Sequence, residues 1–186
     1  MRKLIFSINV SLDGFADHTV AIADDELHSF FAEQLNATGI CLFGRKTYKL
    51  MESYWPNTRQ NPKATEGMIR FADRFNAIPK IVFSRTLEKA GWSNTRLVRD
   101  DMITEVTKLK QQSGKNLSIG GINAAQTLMR HSLIDEYVFL VHPVIAGGGR
   151  RLFPGDNSTE VRHLKLIETE KFKSGVVVLH GEGVKK

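Results

Sequence analysis

The sequence has few of the residues and runs that would indicate a secreted or membrane protein. Cys41 is the only cysteine in 186 residues, so no disulfide can form within the chain and a reducing compartment is expected. No apolar run approaches the roughly 20 residues that a membrane-spanning helix requires. Ser7, Asn9 and Asp13 interrupt the apolar start of the chain, which therefore predicts a strand and not a signal peptide. These absences predict a cytoplasmic protein with no membrane partner.

Metal-ligand spacing and blocks of like charge are also missing. The six histidines show neither HxxxH spacing nor a pairing with Cys41, so no metal site is expected. The net charge of +6 and the isoelectric point near 9.5 suit an anionic ligand, but Lys and Arg are scattered along the chain. Nucleic acid is therefore not the expected partner, and a basic nucleic-acid binder is kept only as a third, weaker alternative.

Short β-rich segments alternate with helical patterns along the chain. Strands are predicted at 3–10, 39–44, 80–84, 95–99, 116–120 and 136–146, helices at 26–35, 45–55, 68–78, 101–112 and 122–133, and a surface loop at 57–67. The tail predicts two more strands, 164–172 and 175–184, joined as a hairpin across Lys173 and Ser174. Strands that alternate with helices predict a mainly parallel sheet flanked by helices, and the hairpin makes the sheet mixed. The length suits a single domain over residues 1–186.

One apolar strand runs directly into a cationic helix start. The stretch ICLFGRKTYKL places Gly44 at the end of the strand, followed by Arg45, Lys46 and Thr47. A helix N-terminus offers free backbone N–H groups and about half a positive charge, so these residues could hold an anion. A Walker A loop is excluded, because Arg45 stands where that loop needs Lys and the residues after Gly39 form a strand. The alternative is a helix start with exposed cations.

Two other predicted strands are also followed by residues that suit a phosphate. In KIVFSRTL (80–87) the apolar strand is followed by Ser84, Arg85 and Thr86, and an arginine can bind a phosphate through two parallel hydrogen bonds. SIGGINAAQTL places Gly120 and Gly121 between a strand and a helix, where a backbone can approach a pyrophosphate. Each signal is weak alone, since strands often run into polar loops and a glycine pair is more often a tight turn. Together, three such strand ends predict a nucleotide phosphate site.

Five motifs in order carry a family resemblance: SLDGF (11–15), GRKTY (44–48), FSRTL (83–87), SIGG (118–121) and PVIAGGGRRLF (143–153). From residue 3 to about 182 the chain resembles the dihydrofolate reductase superfamily, in particular the reductase domain of bifunctional riboflavin-biosynthesis deaminase-reductases. The resemblance implies a dihydrofolate-reductase-like α/β fold with a mixed, mostly parallel sheet. It also implies an NADPH-dependent reductase that acts on a pyrimidine- or pterin-like small molecule, at a heterocyclic C=N bond or a ribosylamine-type carbonyl, and a homodimer.

Carried over to this sequence, the resemblance implies a binding site for NADPH. The cofactor's phosphates would be held by Gly44, Arg45, Lys46 and Thr47, and its adenosine 2′-phosphate by Ser84, Arg85 and Thr86. The pyrophosphate and nicotinamide ribose would be lined by Ile119, Gly120, Gly121, Ile122 and Asn123, and the nicotinamide would be bordered by Ile8, Asn9 and Ser11. The residues support this cofactor independently, because two cationic strand ends suit NADP whereas NAD recognition usually needs a carboxylate on the ribose.

The proton donor is where the sequence departs from this resemblance. Dihydrofolate reductases place a carboxylate on the first helix, and the matching position here is Leu27, so folate is not the expected substrate. Glu26 should point about 100° away from that face, and Asp24 and Asp25 are explained as helix-capping residues. Asp13 is the other candidate catalytic carboxylate, although it could equally be a turn-forming residue. A non-catalytic NADP(H)-binding protein is therefore the alternative function.

Overall fold

The computed structural model describes residues 1–16, 18–19, 21–153 and 161–184. Its strands are β1 (Leu4–Ser11), β2 (Thr38–Gly44), β3 (Lys80–Phe83), β4 (Thr95–Val98), β5 (Asn116–Gly120), β6 (Glu136–His142), β7 (Leu164–Lys171) and β8 (Val177–Gly183). Its α-helices are α1 (Asp25–Gln34), α2 (Arg45–Tyr54), α3 (Glu66–Ala77), α4 (Met102–Gln111) and α5 (Ile122–Arg130). Short 3₁₀ turns, Leu35–Ala37 and Trp55–Gln60, follow α1 and α2. No helix within the described ranges has the length and apolar character to cross a membrane.

The strands form one eight-stranded sheet in the order β4-β3-β2-β5-β1-β6-β8-β7. The first six strands in this order run parallel, whereas β8 runs antiparallel to β6 and β7 antiparallel to β8. The predicted mixed, mostly parallel sheet with a C-terminal hairpin is therefore confirmed. Because the six strands are parallel, their carboxyl ends all lie at one side of the sheet, which we call the C-terminal edge.

Helices cover both faces of the sheet because the strand side chains alternate between them. On one face, Leu42 and Ile119 pack in a common cluster with residues of α4 and α5, such as Leu128. On the other face, Phe43 packs with residues of α2 and α3, and α1 lies over β6 and β8. Leu42 and Leu128 are fully buried, and burial of a side chain of this size contributes about 2 kcal/mol to stability. The result is a three-layer α/β/α arrangement.

The start of α1 is held by two acidic side chains. The Asp24 carboxylate accepts a hydrogen bond from the Leu27 N–H (2.8 Å) and so caps the helix, as the sequence predicts. Asp25 accepts from the backbone N–H of Gly67 (2.7 Å) and ties α1 to the first turn of α3. The side chain of Thr65 caps α3, which is why this helix begins two residues before the predicted 68–78 segment.

Several predicted boundaries were wrong, among them the end of the helix predicted at 122–133, which stops at Arg130, and two of the differences change the description of the fold. The segment 57–67, predicted to be a loop, begins inside a 3₁₀ turn and ends inside α3. The strand predicted at 136–146 ends at His142, because Pro143 has no N–H group to continue the sheet ladder and the chain turns there. The second difference matters for function, since it moves His142 from the middle of a strand to the C-terminal edge.

Lys80 is a buried cation at the start of β3. Its side chain is 1% exposed, and its Nζ donates to the carbonyl oxygens of Asn76 (3.1 Å) and Ile78 (2.8 Å). The same Nζ lies 4.4 Å from the centroid of the Trp92 ring. Burial lowers the pKa of the Lys80 ammonium to about 8.

This lowered pKa predicts a pH-dependent contribution to stability. Between pH 8 and the usual lysine value of 10.5, the unfolded chain binds more protons at residue 80 than the folded chain, so stability rises with pH. The free energy of unfolding of the native protein, minus that of Lys80→Met, should increase by about 3 kcal/mol across this window. Urea unfolding of both proteins at the two pH values measures this difference, and a difference that does not change with pH would contradict the prediction.

Candidate active site

A crevice opens at the C-terminal edge where β5 and β1 separate. β1 pairs with β5 only over Leu4–Phe6, whereas it continues beside β6 as far as Ser11. β5 ends at Gly120, and the chain turns there into α5. Within the described ranges, the last part of β1 therefore has no strand on its β5 side. Open α/β sheets bind their ligands in crevices of this kind.

The three strand ends singled out in the sequence lie side by side along this edge. Their last paired residues are Phe43 with Gly120 and Gly44 with Phe83. The residues that follow these pairs, Arg45, Ser84 and Gly121, consequently lie just beyond the ends of adjacent strands, which are about 4.8 Å apart in a sheet. The fold therefore assembles the three sequence motifs into one continuous surface.

Gly121 is the tightest point of this surface. Its φ of +103° is a conformation that residues with side chains rarely adopt. A Cβ atom at Gly121 would lie 2.5 Å from the Oγ1 of Thr47, and one at Gly120 would lie 2.8 Å from the Phe43 ring. The turn before α5 therefore packs directly against the first turn of α2, and glycine at positions 120 and 121 is what permits this approach.

Two helices begin at this surface without a capping side chain. Side chains of Asp24, Thr65 and Asp101 cap α1, α3 and α4, respectively. In the described part of the chain, α2 and α5 instead have Gly44 and Gly121 at the N-cap position, with no side-chain hydrogen bond. The N–H groups of their first turns are thus left for another acceptor, and an anion is well suited to that position.

Cations surround these two helix starts. Arg45 and Lys46 are exposed in the first turn of α2, and Arg85 is exposed after β3. Arg99, which follows β4, donates from its guanidinium to the carbonyl oxygens of Arg85 (3.1 Å) and Glu88 (3.2 Å) and braces this turn. Arg99 was not among the residues predicted for the site, although its position just past a strand end was a usable signal.

Ser84 and Thr86 are the other residues predicted for the turn after β3, and the hydroxyl of Ser84 already has hydrogen-bond partners within the turn. The Ser84 hydroxyl oxygen accepts from the N–H groups of Thr86 (3.2 Å) and Leu87 (2.9 Å), so it shapes the turn. Its own proton can still be donated to a ligand. Thr86 is exposed at the same turn.

The apolar residues predicted for the site face the core. Ile119 and Ile122 are 1% and 7% exposed, so these two residues can offer a ligand only backbone groups, whereas Ile8 is partly buried against the same cluster. Asn123 is exposed in the first turn of α5 and accepts a hydrogen bond from Arg150. Arg150 adds a further cation beside this helix start, and it was not among the residues predicted for the site.

Asp13 joins two loops at the rim of the crevice. Its carboxylate accepts from the Ser11 hydroxyl (2.6 Å) and from the N–H groups of Ala146 (3.0 Å) and Gly147 (2.7 Å). The Ser11 hydroxyl, with these N–H groups, lowers the pKa of Asp13 to about 2. The carboxylate is ionised at neutral pH and has no proton to donate. These contacts favour the turn-forming role over the catalytic role for Asp13, and they also occupy the side chain of Ser11.

Replacing Asp13 with Asn should loosen the loop that it holds. Asn keeps one carbonyl oxygen but places an NH₂ group opposite a backbone N–H, so one of the two bonds to Ala146 and Gly147 is lost. We expect amide hydrogen exchange at these two residues to become about tenfold faster in Asp13→Asn. An Asp100→Asn variant at an exposed position provides the control, and equal protection in both variants would show that Asp13 does not hold the loop.

Leu27, at the first-helix position where dihydrofolate reductases carry a carboxylate, is a core residue. Leu27 is 3% exposed and packs with residues of β6 and β8. Glu26 accepts from the backbone N–H of Lys173 (2.8 Å) in the β7–β8 turn, so its carboxylate is held at that turn. His28 is half-buried, with its ring edge-on to Trp55 (5.9 Å between centroids), and burial lowers its pKa.

The fold and site together define a three-layer α/β protein with a mixed, mostly parallel sheet and a glycine-lined, cationic C-terminal edge. The sequence pattern of the RibD C-terminal domain matches residues 2–178, and the chain belongs to this family, which is the reductase domain of RibD. The resemblance seen in the sequence is therefore confirmed.

Known proteins similar to this chain extend over nearly all of it. Bacillus subtilis (strain 168) YyaP is 31% identical over 190 aligned positions, which cover 98% of this chain and 96% of YyaP. A Shewanella sp. PV-4 protein assigned to riboflavin biosynthesis superposes with a TM-score of 0.73 at 19% identity, covering 98% of this chain and 99% of its own. The Thermotoga maritima diaminohydroxyphosphoribosylaminopyrimidine deaminase/5-amino-6-(5-phosphoribosylamino)uracil reductase gives a TM-score of 0.65 at 17% identity, covering 98% of this chain and 57% of that protein.

Proposed function

We propose that this chain is an NADPH-dependent reductase whose substrate is a ribosylaminopyrimidine, the class named for the Thermotoga relative. Membership in the RibD reductase family supports an oxidoreductase. The observation that carries the proposal is the pair of helix starts without side-chain caps, α2 and α5, beside the cationic ends of β2 and β3. NADPH, when bound, supplies a hydride to a C=N bond or a sugar-derived carbonyl.

The residues of this chain bind and orient the reactants. The first turns of α2 and α5, with Arg45 and Lys46, suit the phosphate groups of the cofactor. Arg85 and the Ser84 hydroxyl suit a separate phosphate on the adenosine ribose, because a guanidinium can bind it through two hydrogen bonds. Asp13 holds the loop at Ala146 and Gly147 in place beside the end of β1, and fixing two reactants in the crevice would lower the entropic part of the barrier.

Titration with NADPH, followed by tryptophan fluorescence and then by cofactor oxidation, tests the proposal. We expect NADPH to bind and to be oxidised with 5-amino-6-(5-phosphoribosylamino)uracil. Dihydrofolate should be a poor substrate, because Leu27 leaves no carboxylate at the first-helix position. No binding at millimolar NADPH would end the proposal.

A non-catalytic NADP(H)-binding protein is the second candidate. Two observations favour it: Leu27 lies in the core, and the Asp13 carboxylate is ionised by its hydrogen bonds. This candidate predicts that NADPH binds but that no pyrimidine, pterin or ribosylamine substrate oxidises it. Turnover with any of these compounds would eliminate it.

We also propose that the chain forms a homodimer through β7. Every residue of this edge strand is exposed, including Leu164, Leu166 and Ile167. An open strand edge readily pairs with another strand, and antiparallel pairing of two β7 strands about a point between Ile167 and Glu168 would set Lys165 opposite the partner subunit's Glu170. Sedimentation equilibrium should give twice the 20.9 kDa mass of the chain, and Ile167→Glu should reduce it to the monomer mass.

A further inference from the structure

His142 ends β6 as a buried ring with both nitrogens hydrogen-bonded. It is fully buried, with its Nδ1 3.0 Å from the backbone N of Ile22 and its Nε2 3.0 Å from Oδ1 of Asn9. A backbone N–H can only donate, so Nδ1 accepts and carries no proton. The neutral ring must then carry its proton on Nε2. Burial also lowers the pKa of His142 and favours the neutral ring.

This tautomer determines how the Asn9 amide is oriented. A protonated Nε2 donates, so the atom of Asn9 that faces it must be the carbonyl oxygen and not the NH₂ group. Asn9 pairs with Leu140 in the sheet, which places it diagonally across from His142 on the same face. The NH₂ group of Asn9 therefore points away from His142.

Asn9 lies on the part of β1 that borders the crevice. Its side chain is partly exposed, three residues beyond Phe6, where the pairing of β1 with β5 ends. Within the described ranges, no protein acceptor is hydrogen-bonded to the NH₂ group of Asn9. A polar donor fixed in orientation at the wall of a binding crevice is a typical determinant of ligand orientation.

We infer that Asn9 is a ligand-binding residue of this crevice, that its NH₂ group donates to a carbonyl oxygen of a bound ring, and that His142 is the positioning residue that holds the amide in this orientation. The inference rests on the proposed function. Two rings at such a site carry a suitable carbonyl, the carboxamide of nicotinamide and the pyrimidinone of the substrate, and the experiment distinguishes them. The competing explanation is that His142 only anchors the backbone of Ile22 over the sheet.

Matched substitutions separate these roles. Asn9→Asp keeps an acceptor for His142 but removes the donor to the ligand. His142→Gln keeps a donor near the Nε2 position and so preserves the orientation of Asn9, whereas His142→Asn keeps only an acceptor near Nδ1 for Ile22. Asn36→Asp, at an exposed position after α1, is the control. If Asn9→Asp does not fold, as judged by thermal unfolding, Asn9→Ala tests the same loss without adding charge.

The probes are NADPH, adenosine 2′,5′-bisphosphate and 5-amino-6-(5-phosphoribosylamino)uracil. If the acceptor belongs to nicotinamide, Asn9→Asp should weaken NADPH binding about tenfold without changing the affinity for the bisphosphate. If it belongs to the substrate, both cofactor affinities should stay unchanged while the KM of the pyrimidine rises about tenfold. In either case the same parameter should keep its wild-type value in His142→Gln and be impaired in His142→Asn.

The inference would be overturned if Asn9→Asp matched the wild type in all three measurements. It would also be overturned if His142→Asn behaved normally and His142→Gln did not, because that pattern assigns His142 to the Ile22 backbone alone. Failure of the wild type to bind NADPH would instead count against the proposed function. The two failures are therefore distinguishable.

Discussion

A Gly121→Ala variant is expected to lose about 2–4 kcal/mol of free energy of unfolding and most of its affinity for NADPH. The loss has two causes: the φ of +103° disfavours any residue with a side chain, and the new Cβ would lie 2.5 Å from the Thr47 Oγ1. Relief of that contact would separate the first turn of α2 from the start of α5, where the phosphate groups are proposed to bind. Urea unfolding and fluorescence titration with NADPH measure the two effects.

Two other variants show whether this explanation is correct. Gly148→Ala should be nearly neutral, because nothing lies within 4 Å of a Cβ at that position. The double variant Gly121→Ala, Thr47→Ala should recover part of the stability, since it removes the hydroxyl but leaves the backbone strain. A Gly121→Ala protein that is as stable as the wild type and binds NADPH equally well would show that the close approach has no role.

Replacing Arg85 with Ala should abolish most of the preference for NADPH over NADH. Arg85 is exposed at the end of β3, next to the Ser84 hydroxyl, and a guanidinium bound to a phosphate through two charged hydrogen bonds contributes about 1.5–3 kcal/mol. The affinity for NADPH should therefore fall about 10- to 100-fold. The affinity for NADH should change little, because NADH lacks the 2′-phosphate. Parallel titrations of both cofactors measure the ratio.

The control variant removes the same single positive charge, but at a position far from the crevice. Arg130 is an exposed cation in the last turn of α5, at the end of that helix opposite to the crevice. Arg130→Ala should leave both affinities unchanged at moderate ionic strength, since exposed charges are screened over about 10 Å. An equal loss in the two variants would mean that net charge, and not a local phosphate contact, attracts the cofactor.

The order of elements and the family could be predicted from the sequence alone. Alternating strand and helix patterns, and the hairpin across Lys173 and Ser174, depend on periodicity and turn residues that act over a few positions. The same is true of the motifs at Gly44, Ser84 and Gly120, because each joins a strand to the residue that follows it. Pro143 was a local signal for the end of β6 as well, but the apolar residues after it outweighed the proline in the prediction.

Only the tertiary structure decided which groups meet at the crevice and which of them already have hydrogen-bond partners within the protein. Asn9 contacts His142, 133 residues further along, and the Asp13 carboxylate accepts hydrogen bonds from the backbone N–H groups of Ala146 and Gly147. The crevice itself exists because β1 continues beyond the last residue that pairs with β5. The length of that pairing depends on the register between two strands that are distant in sequence. Hydrogen bonds of this kind depend on how separate elements pack, and no local pattern of residue types encodes them.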